Sequence, residues 1–152
     1  MSISEKITSN LREAMKAGQS FEAGVFRMLL SSFHNKEIEK KGKGEPIEIS
    51  DEEAVELLTR EAKKRKESIQ AYEKGDRQEL AEKEKRELAI IKKYLPEELG
   101  REEIEKVVLA VIEKTGVKDI KDFGKAMGEA MKELKGRADA SIVGEILKEK
   151  LG

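Results

Sequence analysis

The chain has 152 residues, 38% of them hydrophobic and 41% charged, with 31 basic side chains against 32 acidic. The formal net charge is −1, so there is no whole-molecule attraction to nucleic acid and any such binding needs a local patch. Cysteine is absent, which excludes disulfides, thiol catalysis and cysteine-based metal sites.

A reducing, cytoplasmic compartment fits that composition. The opening MSISEKITSN lacks the apolar run of a signal peptide. No window approaches the roughly 20 apolar residues of a membrane-spanning helix, so no membrane role is expected.

Ser2 and Glu5 have capping-box spacing at the start of a first helix. Ile3, Ile7, Leu11, Ala14 and Met15 recur at helical steps along its inner face. Gly18 and Gln19 break the pattern, and Ser20 stands where it can cap a second helix over residues 21–41. Phe21, Val25, Met28, Leu29, Ser32 and Phe33 give that helix one broad face. His34 is the only histidine. With no second histidine, cysteine or serine motif beside it, a surface position is expected rather than an acid–base or metal role.

Lys41-Gly42-Lys43-Gly44-Glu45-Pro46 is a loop. Its glycines do not have the GxxxxGK[ST] spacing of a phosphate cradle, and no strand precedes them. Ser50 and Glu53 form a second capping box, opening a helix over residues 51–74 with Ala54, Leu58, Ala62, Ile69 and Tyr72 inward. Gly75 closes it. Asp76 and Glu79 read as the cap of a further helix, residues 77–93, whose core face is Leu80, Ala81, Leu88, Ile91 and Leu95. So short a turn makes the two an antiparallel hairpin.

The hairpin carries the densest basic run, Arg60, Lys63, Lys64, Arg65 and Lys66, diluted by Glu61 and Glu67. Five such positions wrap more than one helix face. An ion-paired surface is the first reading and a secondary phosphate-binding patch the second. Only four Phe and two Tyr exist, most at core spacing, so a base-stacking platform is not expected.

Pro96 disfavours helix at Leu95 and marks a boundary between residues 1–95 and 96–152. Gly100 stands at the N-cap of a helix that buries Ile104, Val107, Val108, Val111 and Ile112 and stops at Gly116. Asp119 can cap the next helix, which turns Phe123, Ala126, Met127, Ala130, Met131 and Leu134 to one side. Gly124 and Gly128 lie four apart in it. Each weakens a helix by about 0.5–1 kcal/mol, and close approach of another backbone is the expected compensation. Gly136 ends this helix in the left-handed conformation. Asp139 then caps a last helix that buries Ile142, Val143, Ile146 and Leu147. The overall expectation is an all-α chain: an N-terminal helical domain with a long antiparallel hairpin, then a small three-helix tail domain.

The closing run GKAMGEAMKELKGRADASIVGEILKEKL resembles the tail module shared by the YqeY family and the B subunit of the glutamyl/aspartyl-tRNA amidotransferase. Upstream, EAMKAG, RMLLSSFHNKEIE, KKRKESIQAYEKGDRQELAEKEKRELAIIKKYLPEEL extend the resemblance to YqeY over essentially the whole chain. Gly24-Val25-Phe26 and Gly100 depart from the pattern locally. The resemblance implies an all-helical fold and, by analogy with the amidotransferase tail, contact with tRNA. It puts Lys125, Lys132, Lys135 and Arg137 forward as candidate RNA-binding residues, with Gly136 holding the turn open. Arg60, Lys63, Lys64 and Lys66 are the secondary basic patch.

No HExxH, GxSxG, CxxC or dinucleotide fingerprint is present, so neither catalytic residues, cofactor nor metal is assigned. A non-catalytic adaptor for tRNA, or for a tRNA-processing or amidotransferase-associated protein, is the leading reading. A protein-interaction module without RNA and an amidotransferase-related carbon–nitrogen ligase accessory are the alternatives.

Overall fold

A computed structural model describes residues 1–152, and it is all-α. The chain divides into two compact units, Met1–Leu95 and Pro96–Gly152.

The first unit holds four helices: α1 (Ile3–Lys16), α2 (Ser20–Gly42), α3 (Asp51–Lys74) and α4 (Gln78–Lys92). The capping box at Ser2 forms in full: its side chain accepts from the Glu5 N–H, and Glu5 reaches back to the Ser2 N–H. The box at Ser50 and Glu53 forms the same way. Ile7, Leu29, Phe33, Leu58 and Ile91 are fully buried where the four helices meet. The ring edges of Phe26 and Tyr94 meet the same core in a T-shaped pair with centroids 6.2 Å apart.

Several local expectations are corrected. Ser20 is the first residue of α2 rather than its cap; Gln19 occupies the cap without a side-chain bond. Asp76 does not cap α4. Gly75 stays at φ −85° and Asp76 takes the left-handed conformation at φ 58°, which Asp tolerates because its carboxylate can bond locally. Arg77 becomes the cap of α4. The core face of α4 is rotated toward Ile90: Ile90 is buried and Leu80 exposed. Met15 is also exposed.

The second unit holds α5 (Arg101–Thr115), a single 3-10 turn (Ile120–Asp122), α6 (Phe123–Leu134) and α7 (Ala140–Leu151). Its core is Ile104, Val108, Leu134, Val143, Ile146 and Leu147. Ile142, expected inside, is partly exposed. Gly100 caps α5 with extended backbone and no side-chain bond, and Gly116 ends it at φ 72°. The Asp119 carboxylate accepts from the Lys121 N–H at 2.9 Å, so it caps the 3-10 turn that leads into α6 rather than α6 itself.

Candidate nucleic-acid interface

Three helical turns of α6 and the turn that follows hold the candidate residues. Ala126, Ala130 and Leu134, at four-residue steps, fix the buried side of α6. At 100° per residue the opposite side carries Gly124, Lys125, Gly128 and Lys132 within an arc of about 100°. All four are exposed. Lys121 and Lys135, at the two ends, are exposed as well. Sequence reasoning missed Lys121. Its step of four from Lys125 was the available signal, hidden because residues 120–122 form a 3-10 turn rather than helix.

The turn is built from backbone bonds. The Lys135 N–H donates to the Met131 carbonyl, and the Arg137 and Ala138 N–H groups both donate to Leu134. Gly136 stands at φ 77°, where a side chain is costly. The Arg137 carbonyl accepts from the Leu99 N–H at 2.8 Å, tying the turn to the entry of α5. The Arg137 side chain is exposed. Asp139 accepts from the backbone and hydroxyl of Ser141, at 3.0 and 2.8 Å, as the cap of α7.

Lys132 pairs with Glu129 at 2.9 Å. That hydrogen bond, with the charges of Lys132, Lys114 and Lys125, holds the Glu129 carboxyl below its ordinary range. Glu129 is thus an acid embedded in positive potential, and it tempers Lys132 without reversing the sign of the face.

The expectation for the glycine pair does not hold within the chain. A Cβ added at Gly124 or at Gly128 would meet nothing within 4 Å. No helix or loop of the molecule uses the space these glycines leave.

On the hairpin, the basic run splits. Arg60, Lys63 and Lys64 are exposed and Lys66 half-buried, whereas Arg65 is buried. Arg65 follows Leu58 and Ala62 along the inner stripe of α3, so helical spacing places it inward. Its guanidinium pairs with Glu61 and lies 3.4 Å from Glu87 of α4, while Met28 of α2 lies against its far nitrogen. Lys64 is paired to Glu61 at 3.3 Å. Arg65 is therefore a structural tie among three helices, and the remaining cations are a dispersed, partly ion-paired surface.

His34 is 70% exposed, with Nδ1 3.5 Å from a Glu37 carboxylate oxygen on the next turn. No group of His, Cys, Asp and Glu is disposed to hold a metal ion, and no helix is long and apolar enough to cross a membrane.

Comparison with known proteins places these helices among relatives. An uncharacterized protein of Schizosaccharomyces pombe is 32% identical over 91 residues, covering 60% of this chain and 70% of its own. Altered inheritance of mitochondria protein 41 of Vanderwaltozyma polyspora is 30% identical over 123 residues, 76% of this chain and 64% of its own. The corresponding Lachancea thermotolerans protein is 34% identical over 89 residues, 59% and 46% respectively. The chain thus spans about half to two-thirds of these mitochondrial relatives. They overturn the cytoplasmic expectation. Their names place them in mitochondria, and the absence of cysteine does not discriminate between two reducing compartments. The sequence profile of the Yqey-like proteins matches residues 4–151, nearly the full length, and the chain belongs to that family.

Proposed function

We propose that the chain is a helical adaptor whose second unit contacts tRNA through the outer face of α6 and the turn after it. Family membership supports an adaptor-type role without chemistry of its own. Similarity to the amidotransferase tail supports tRNA as the ligand. The observation that carries the reading is the α6 face itself: Lys121, Lys125 and Lys132 flank two glycines over which no part of the chain lies.

Such a face suits a phosphate backbone. Lysines on flexible stems supply adjustable point charges, and Arg137 can grip one phosphate with two parallel hydrogen bonds. The bare backbone at Gly124 and Gly128 lets a sugar–phosphate strand come closer than any side chain would. The scarcity of exposed aromatics points to recognition by backbone and shape rather than by stacked bases. The unit has a near-neutral parent chain, so the attraction is local and steepens only at short range.

A tRNA titration across a salt series tests this. Binding weakens with salt, and each lysine or arginine contact removed lowers the logarithmic slope by roughly 0.7–0.9. Lys135→Ala with Arg137→Ala weakens binding and flattens the slope while the helical signal is retained. Equal affinity and slope in that double variant would remove the site. Absence of saturable tRNA binding at low salt would remove the function.

A further inference from the structure

On the first unit, α1 and α2 leave an open cleft of about 460 Å³ lined by Leu11, Arg27, Leu30 and His34 among others. A smaller cleft of about 170 Å³ nearer the connection between the two helices shares Arg27 and includes Met15. Ile38 continues the same ridge of α2, eleven residues on from Arg27. Met15 is 55% exposed and Ile38 56% exposed, and both clefts are open to solvent. Helix α2 is apolar on more than its buried side: Leu30 is only half covered, although Val25, Phe26, Leu29 and Phe33 already fill the core. Exposed apolar side chains grouped between polar ones, here Ser31, His34 and Asn35, form the kind of patch a partner covers.

The charge of the clefts is one-sided. Arg27 is the one permanently charged residue in either lining, and no carboxylate lines either cleft. This is notable in a chain with 32 acidic residues among 152. Glu37 approaches only from the next turn, where it faces His34. The Arg27 guanidinium is exposed and takes part in no ion pair of the chain.

We infer that this cleft is a docking groove for an amphipathic helix of a partner protein, one that lays apolar side chains along Leu11, Met15, Leu30 and Ile38 and sets a carboxylate on Arg27. The apolar floor with one convergent cation is the chemistry of helix-in-groove recognition. Exposed Met15 adapts to irregular surfaces. Nucleic acid fits poorly, because the linings offer one arginine and no lysine. A second copy fits poorly too: a two-fold interface sets the same patch against itself, and neither lining holds a carboxylate for Arg27 to meet. The groove is distinct from the face of α6, so tRNA and protein contacts fall on different units of one adaptor.

The test uses the full chain and two designed helical peptides. Both carry leucines at three- and four-residue steps, one flanked by glutamates and the other by lysines. The acidic peptide binds in a saturable way, and the amide shifts it causes cluster around Leu11, Met15, Arg27, Leu30 and Ile38. The basic peptide binds roughly tenfold more weakly. Arg27→Glu, an exposed change that leaves the fold intact, reverses that order. Leu30→Ala weakens both peptides. Equal binding of the two peptides, an order unchanged by R27E, or shifts elsewhere on the molecule would overturn the inference. So would the absence of saturable binding to the acidic peptide, or sedimentation showing a dimer that Met15→Glu dissolves. Since R27E lies outside the α6 face, its tRNA affinity stays at the wild-type value. Loss of tRNA binding in R27E would reassign the groove to RNA.

Discussion

The Lys40 ammonium, near the end of α2, is buried and lies 2.7 Å from the Glu53 carboxylate in the first turn of α3. Glu53 also accepts from the Ser50 N–H, so one side chain closes a capping box and neutralises a buried cation. The Lys40 ammonium donates a further bond to the Glu48 carbonyl, clamping the 43–50 connection from inside. The two ends of the pair are not equivalent. Glu53→Ala strands a buried ammonium and removes the reciprocal cap, for a loss of about 2 kcal/mol, below the full cost of a wholly buried pair because Glu53 is partly solvated. Lys40→Met keeps the packed stem and leaves a carboxylate that water can reach, so its cost is within about 1 kcal/mol. Urea unfolding of the two variants checks the order. Equal losses would mean that Lys40 is hydrated in solution.

The carboxylates around Arg65 make a pH prediction with two signs. Burial pushes Glu61 up, but the Arg65 hydrogen bond and the charges of Arg65 and Lys64 outweigh it and leave the carboxyl below its ordinary range. Glu53 is also lowered, chiefly by its hydrogen bonds from Lys40 and Ser50. Both add stability that is complete above the unfolded value of about 4.3 and fades as pH falls through their lower folded values. Glu84 is opposite. Burial first, then the Glu87 charge, raise its carboxyl. Its penalty therefore sets in as pH rises past about 4.3 and is complete above its raised folded value. Melting curves across pH show Glu61→Gln destabilised at neutral pH and converging on wild type in acid. Glu84→Gln is stabilised at neutral pH, with the gain vanishing in acid. Parallel curves for all three proteins would remove the assignment.

What the sequence made legible followed from local rules. Capping boxes at Ser2 and Ser50, the left-handed Gly136 and the inward stripes of α3 and α6 depend on residues within one helical turn of each other, and they appear as the spacing dictates. The failures depended on partners from elsewhere in the chain. Arg65 read as part of a basic run, yet Glu87 from α4 and Met28 from α2 make a buried site for it. Asp76 read as a cap because Glu79 stands at the reciprocal capping-box spacing. Asp76 instead takes the left-handed conformation, and Arg77 occupies the cap without a side-chain bond. The candidate RNA residues were picked by resemblance. That Lys125 and Lys132 share one arc of α6 became evident only once the buried side of that helix was fixed by Ala126, Ala130 and Leu134.

Gly136 predicts a cost confined to one turn. At φ 77° an added Cβ strains the backbone, so Gly136→Ala lowers stability by about 1 kcal/mol, while Gly136→Asn, which tolerates the left-handed region, loses less. The damage concentrates at the end of α6, where the Arg137 and Ala138 N–H groups bond to Leu134. Hydrogen exchange localises it: those two amides lose protection in G136A while amides in the middle of α3 keep theirs. Uniform loss across both units would show that the strain is not local.

The glycines of α6 give a prediction in which stability and binding move in opposite directions. Gly124 and Gly128 weaken α6 yet admit no neighbour from their own chain. Nothing within the molecule resists a methyl group at either position, so each glycine-to-alanine change stabilises the helix by about 0.5–1 kcal/mol. If a ligand backbone occupies the space, the same methyl groups hold it away from the lysines that flank them. Gly124→Ala with Gly128→Ala therefore melts at a higher temperature and binds tRNA more weakly, at an unchanged net charge. Because the lysines remain, the weakening cannot be ascribed to lost electrostatic attraction, and because the protein is more stable it cannot be ascribed to unfolding. A stabilised variant with wild-type tRNA affinity would show that the ligand touches only the lysine tips, and that the glycines serve no close approach at all.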